Sequence, residues 1–153
     1  MHLTKYTDYG LRALIYLALN PDRAVPTTEI AGVFDVSQGH LTKVVNRLAE
    51  AGFVRTTRGK GGGSRLLLSP QQIDIGMVVR ALEDDLSIID CVNSNCRLMP
   101  ACELRGVIQQ AMDAFLGVLD QYTLEDIVAH RCDIMRSLFP DMPVLDPEGS
   151  GEC

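Results

Sequence analysis

The stretch from Thr27 to Ser69 reads TTEIAGVFDVSQGHLTKVVNRLAEAGFVRTTRGKGGGSRLLLS, and the order of its parts decides the fold. A short helix should begin near Thr27, with Glu29 in its first turn and Ile30, Ala31 and Val33 facing inward. Phe34-Asp35-Val36 then makes a tight turn, and Ser37 offers a side-chain oxygen to cap the next helix. That helix carries Leu41, Val44, Val45 and Leu48 on one face, and Gly52 stops it. Two short helices joined by a three-residue turn form a helix-turn-helix. Two β-prone runs follow, Phe53–Thr57 and Arg65–Ser69. They flank the glycine-rich basic loop Arg58-Gly59-Lys60-Gly61-Gly62-Gly63-Ser64, which predicts a hairpin with a long tip. A helix-turn-helix followed by a hairpin is a winged helix.

Toward the N-terminus, Leu11, Leu14, Ile15 and Ala18 recur at helical spacing. Thr7 is the expected cap of that helix, Asp8 suits its positive first turn, and Asn20-Pro21 ends it. Toward the C-terminus, Ile75, Val78, Val79 and Leu82 predict a further helix after Pro70. Residues 84–97 read as loop, and Pro100 suits the first turn of another helix. In that helix Leu104, Val107, Ile108, Ala111, Met112, Phe115, Val118, Leu119 and Tyr122 make an apolar stripe of about five turns. The expected fold class is mainly α with a small β-hairpin wing: a winged helix-turn-helix plus a long dimerisation helix. Residues 1–70 form the DNA-binding region, and 71–129 hold a cysteine loop and the dimerisation helix. Residues 130–153, acidic and rich in Pro and Gly toward the end, read as a largely disordered tail.

A chain of 153 residues has room for one domain, or one domain and an appendage. Its 46% apolar and 22% charged residues exclude a disordered or fibrous chain. No apolar run approaches the roughly 18 residues of a membrane helix. The opening MHLTKYTD lacks the layout of a secretory signal, so the expected location is the cytoplasm. The net charge of −6 conceals an asymmetry. Residues 1–70 carry nine basic and five acidic side chains, a balance of +4, whereas the remainder carries five and fifteen, a balance of −10. A polyanion-binding half joined to an acidic half fits that division.

In a winged helix the N-terminal part of the second helix of the motif meets base edges in the major groove. Here those residues are Ser37, Gln38, His40, Thr42 and Lys43. Gln38 is suited to adenine, Lys43 to guanine or phosphate, and Ser37 to phosphate. Arg58 and Lys60 of the wing are suited to phosphates or an A·T-rich minor groove. Each of these residues alone reads as an ordinary solvated side chain; the combination points to double-stranded DNA. The glycine-rich loop lacks the register of a phosphate-binding P-loop, and no Ser/His/Asp or paired-carboxylate grouping supports an enzyme.

Three of the five cysteines are bunched as Cys91-x4-Cys96-x5-Cys102. Thiolates are soft anionic donors for zinc and for iron–sulfur clusters. The spacing is loose for the paired knuckles of structural zinc and nearer the unequal spacings of cluster proteins. Zinc, free or buried thiols and a thiol–disulfide switch remain open on spacing alone. Without a secretory signal, a disulfide framework is not expected. Cys132 reads as a helix or core residue and Cys153 as a bystander in the tail.

With these features assembled, the chain resembles the Rrf-type bacterial regulators, dimeric winged-helix repressors that often carry an iron–sulfur cluster. The resemblance covers roughly residues 1–129. It rests on the opening Leu3-Thr4-x-x-Thr7-Asp8-Tyr9-Gly10-Leu11-Arg12, the wing Arg58–Gly63 and the cysteine trio. Within the family the chain is similar to the nitric-oxide-sensing subgroup. That likeness lies in Leu82-Glu83, in Cys91-x4-Cys96-x2-Met99-Pro100-Ala101-Cys102-x-Leu104, and in Tyr122-Thr123-Leu124-x-Asp126-Ile127-Val128. The family's regulators of cluster assembly place a histidine three residues after the last cysteine, where this chain has Arg105.

The resemblance implies that Cys91, Cys96 and Cys102 ligate the cluster and that Asp8 is a fourth ligand donated across a homodimer. From the residues alone, Asp8 is a favourable charge at a helix N-terminus. The cluster implied is 4Fe-4S, with 2Fe-2S the alternative. The dimer would pair through Leu104, Val107, Ile108, Ala111, Phe115, Val118 and Leu119 and bind a palindromic operator, with nitric oxide as the releasing signal. The alternatives are the same fold sensing iron, redox state or cluster supply, and a zinc- or thiol-based winged-helix regulator.

Overall fold

Helix α1 (Lys5–Leu19) is capped one turn earlier than its sequence predicts. The computed structural model, which describes residues 2–89, 96–98 and 102–140, places Thr4 as the N-cap. Its hydroxyl oxygen accepts the Thr7 backbone N–H at 3.3 Å. Thr7, the expected cap, lies inside the first turn and is buried, its hydroxyl 3.3 Å from that of Thr4. Asp8 does sit in the first turn, and Asn20 closes the helix. The buried arc is wider than an amphipathic stripe, because α1 is the central helix on which several others pack. Leu14 and Ala18 are buried as expected, while Leu11 and Ile15 lie half-buried at its edges.

Helices α2 (Thr27–Val33) and α3 (Gln38–Glu50) form the helix-turn-helix. Between them Asp35 adopts the left-handed conformation with φ 50°, which Asp tolerates better than most residues. Ile30 and Ala31 of α2 are buried, as are Leu41, Val44, Val45 and Leu48 of α3. Val33 is half-buried at the rim.

Strands β1 (Val54–Thr57) and β2 (Gly63–Leu66) pair antiparallel, with Val54 opposite Leu66 and Thr57 opposite Gly63. The second strand starts two residues before the expected Arg65. The reason is a third participant: Ser64 is buried and exchanges both backbone hydrogen bonds with Val25, at 2.8 and 2.9 Å. Gly63 makes that approach possible, since a Cβ there would lie 2.6 Å from the Val25 carbonyl carbon and oxygen. At the wing tip Gly59 and Gly61 take φ of 99° and 80°, a region costly for any residue with a Cβ.

A single 3-10 turn (Pro70–Gln72) leads into α4 (Ile75–Leu82), whose Ile75, Val78, Val79 and Leu82 are buried as expected. The long helix α5 (Glu103–Leu119) has Cys102 as its N-cap; the expected start at Pro100 lies outside the described residues. Its apolar stripe divides in two. Met112 and Leu116 are buried against Val79, with Phe115 and Leu119 packed beside them. Leu104, Val107 and Val118 face away, 58%, 61% and 53% exposed, and Ala111 is exposed with them. Leu116, absent from the expected stripe, is among its most buried residues, because 112, 115, 116 and 119 share the face that meets α4.

Helix α6 (Leu124–Ile127) is one turn, opened by a capping box between Thr123 and Asp126. Hydrogen bonds from the backbone N–H of Leu124 to the Ile73 carbonyl (2.8 Å) and from that of Ile75 to the Tyr122 carbonyl (3.0 Å) tie it to the start of α4. Residues 130–140, expected as the beginning of a disordered tail, contain helix α7 (Arg131–Leu138). Arg131 donates to the Leu19 carbonyl at 2.6 Å, and the Phe139 ring packs on Tyr16 with centroids 6.4 Å apart. Cys132 lies half-buried on α7 and is disulfide-bonded, a pairing that the sequence did not lead us to expect.

Candidate nucleic-acid interface and thiol site

The buried face of α3 determines what its other face offers. With Leu41, Val44, Val45 and Leu48 turned into the core, Gln38, His40, Thr42 and Lys43 are left exposed on the first two turns. Ser37 caps the helix, its hydroxyl accepting the His40 backbone N–H at 3.2 Å. The helix thus presents its positive end with a hydroxyl at its tip. Thr42 donates to the Gln38 carbonyl at 2.8 Å, so its hydroxyl retains only acceptor capacity toward a ligand. Arg58 and Lys60 are exposed on the wing tip. The structure therefore leaves all seven expected DNA-contacting residues on the surface, five at the start of α3 and two on the wing.

Residues that no sequence pattern singled out hold α3 in place. Tyr6, in the first turn of α1, donates its hydroxyl to the Lys43 carbonyl at 2.8 Å, and burial pushes its phenol above the ordinary value. Lys5, Tyr6 and Tyr9 line a cleft together with His40 and Lys43, so the start of α1 borders the face that α3 exposes. Arg47, one turn beyond Lys43, donates from Nε to the Ala81 carbonyl of α4 at 3.1 Å.

The thiols lie beyond that same C-terminal end of α4, on the segment that leads to α5. Cys96 and Cys102 are half-buried free thiols, and Cys102 opens α5. Cys91 lies outside the described residues. Among the described residues no three of His, Cys, Asp and Glu come together as a metal site. Asp8 is engaged within its own helix, 2.9 Å from Arg12 Nε. Two soft donors on a loop that ends at the positive end of a long helix suit an anionic thiolate-bound group, so the donor chemistry fits an iron–sulfur cluster.

The head of that loop is anchored. Glu83 Oε1 accepts the Thr4 backbone N–H at 2.7 Å and the Thr4 hydroxyl at 3.0 Å. Just beyond it, Asp85 accepts the Ser87 N–H at 2.7 Å, and its hydrogen bonds with Ser87 hold its carboxyl below the usual range. A cavity lies between this loop and α5, lined by Leu3, Glu83, Leu86, Ile88, Met112 and Phe115 among others.

A capped recognition helix, a glycine-tipped wing that follows it through β1, and a thiol-bearing loop tied to the first helix define a winged-helix DNA-binding regulator. The chain belongs to the Rrf2 family, described as iron-dependent transcriptional regulators, which it matches over residues 3–130. It is a transcriptional regulator, not an enzyme. It is 46% identical to the HTH-type transcriptional regulator NsrR of Bacillus subtilis over 142 residues, 90% of this chain and 97% of that protein. It is 42% identical to NsrR of Halalkalibacterium halodurans, with the same coverage. Among solved structures, CymR, the global cysteine regulator of B. subtilis, superposes with a TM-score of 0.70 at 30% identity, covering 85% of this chain and 98% of that one. IscR of T. potens superposes with a TM-score of 0.67 at 26% identity, covering 86% and 88%. Among the described residues no helix is long and apolar enough to cross a membrane.

Proposed function

We propose that this regulator is a repressor that binds palindromic operator DNA as a homodimer and releases it in response to nitric oxide acting on a bound iron–sulfur cluster. The observation that carries this reading is the pair of free, half-buried thiols of Cys96 and Cys102 on a loop whose head is hydrogen-bonded to the first turn of α1. The 46% identity to a regulator named NsrR supports the choice of signal.

Cys91, Cys96 and Cys102, with Asp8 of the partner subunit, would hold the cluster, 4Fe-4S in the leading reading and 2Fe-2S in the alternative. When bound, it supplies iron centres that react with nitric oxide. The rest falls to the chain. The cysteines pin the loop between α4 and α5. Asp8 must share or exchange its ion pair with Arg12 to serve a partner's site. Residues 1–70 carry the DNA contacts: Ser37, Gln38, His40, Thr42 and Lys43 in the major groove, and Arg58 and Lys60 on phosphates or the minor groove. Residues 71–129 carry sensing and pairing. Leu104, Val107, Ala111 and Val118 supply the apolar surface between copies, and Ile108, Phe115 and Leu119 brace it from the inner side. Two copies of α5 pairing across a two-fold axis would set the separation of the recognition helices to match a palindrome.

The test is anaerobic purification with iron and sulfide analysis and a visible spectrum, followed by stepwise nitric oxide during a DNA-binding titration. Bleaching of the visible bands in step with DNA release is the expected result. A coloured protein that ignores nitric oxide would assign the fold to another signal. A colourless protein with bound zinc would remove the cluster from the reading. Cys96→Ala should abolish the visible absorbance while leaving a folded chain, and retention of full absorbance would refute the ligand assignment.

A further inference from the structure

Among the described residues two side-chain hydrogen bonds join α3 to other helices, and both lead back to the same three residues. Tyr6 Oη donates to the Lys43 carbonyl at 2.8 Å and Arg47 Nε donates to the Ala81 carbonyl at 3.1 Å. Lys43 and Arg47 stand four apart, so these bonds grip one side of α3 on consecutive turns. Ala81 lies in the last turn of α4, whose carbonyls have no partner further along the helix. Arg47 therefore caps α4 from a different helix, its cation at the negative end of the α4 dipole. Tyr6 belongs to the first turn of α1, and that turn begins at Thr4, which is bonded to Glu83. Between Ala81 and Glu83, Leu82 is buried in the main core. The segment 81–83 thus holds α3 directly through Arg47 and indirectly through Thr4 and Tyr6, and it is also where the thiol loop begins.

We propose that Arg47 and Tyr6 are positioning residues that transmit the state of the thiol loop to the DNA-binding face of α3 within one subunit. This inference rests on the proposed cluster-dependent DNA binding and adds the intramolecular route. When the loop is pinned, the last turn of α4 is held, the Ala81 carbonyl stays in line with Arg47, and α1 keeps Tyr6 beneath Lys43. When the loop is released, the last turn of α4 is free to fray, its carbonyl leaves Arg47, and α3 loses one of its two lateral restraints. Arg47 spends its Nε on the Ala81 carbonyl and lies 3.9 Å from Glu50 on its own helix, which sets its role apart from that of the exposed Lys43.

The test uses the full chain, with Arg47→Leu and Tyr6→Phe made separately. The probe is a duplex selected in vitro with the cluster-loaded wild-type protein. For each protein the affinity is measured with the cluster loaded anaerobically and again after its removal, and the quantity read is the ratio of the two. A residue that merely stabilises α3 lowers both affinities together and leaves the ratio alone; a coupling residue changes the ratio. Loss of one hydrogen bond from a charged donor is expected to shrink the ratio by about tenfold for Arg47→Leu, and by less for the neutral Tyr6→Phe. Hydrogen exchange of the α3 amides gives a second readout: loading the cluster should slow exchange in the wild type and fail to do so in the variants. Unchanged ratios and wild-type exchange in both variants would overturn the route while leaving cluster-dependent binding intact. A wild-type ratio of one would overturn both this inference and the reading on which it rests.

Discussion

Glu29 joins three elements at a single carboxylate. It accepts the Tyr16 hydroxyl at 2.8 Å and an Arg23 N–H at 2.8 Å, linking α1, the turn after it and α2. The Arg23 hydrogen bonds hold its carboxyl below the usual range, opposed by burial, while burial and the Glu29 hydrogen bond push the Tyr16 phenol up. Because the native pKa of Glu29 is lowered, the folded chain binds fewer protons than the unfolded chain at acid pH. The stability it contributes is complete above the usual carboxylate range and is lost as pH falls through the lowered native value. Thermal melts across this acid range should therefore show a steeper loss for the wild type than for Glu29→Gln. Equal slopes would show that the carboxylate contributes nothing linked to protonation. None of this was legible beforehand: Glu29 reads as an ordinary first-turn acid, and its partners are set by the folding of α1 over α2.

At the scale of elements, the recognition helix depends on its cap and the wing on one close approach. Ser37→Ala removes the acceptor for the His40 N–H and should cost about 1 kcal/mol of stability, measured by urea unfolding. It should also weaken DNA binding, because the helix start that faces the groove then frays. Gly63→Ala places a Cβ against the backbone of Val25 and should cost about 1–3 kcal/mol, with the bridge between Val25 and Ser64 exchanging its amide protons faster than in the wild type. A variant as stable as the wild type would mean that the strand can shift at no cost. The helix-turn-helix was readable from the sequence because its cap, its apolar period and its stop all agree locally. The start of β2 was not, because it is decided by the bridge between Ser64 and Val25, 39 positions apart in the chain.

At the scale of the whole molecule, α5 exposes Leu104, Val107 and Val118 along a helix of 17 residues in which only Met112 and Leu116 are buried. In the proposed dimer this surface is covered. The double substitution Leu104→Asp, Val107→Asp should yield a folded monomer by light scattering and weaken binding to a palindrome far more than to a half-site. A dimer that survives would place the interface elsewhere. The basic surface makes a separate prediction. Lys43→Ala should reduce the slope of log K against log salt by about 0.9 if Lys43 meets a phosphate. It should instead change base preference with little effect on slope if Lys43 reads guanine.

The sequence by itself determined the winged helix-turn-helix, the exposed basic residues and the bunching of the cysteines. Those features are written in short-range period, in caps and in spacing, which act over a few residues. Tertiary structure alone decided that Thr4 rather than Thr7 caps α1, that α5 turns Met112 and Leu116 inward and leaves Leu104 and Val107 out, and that residues 131–138 form a helix. It alone joined Arg47 to Ala81 and Thr4 to Glu83. Such partners are chosen by which surfaces come together when the core closes, and separations of 34 and 79 residues leave no periodic trace in the chain.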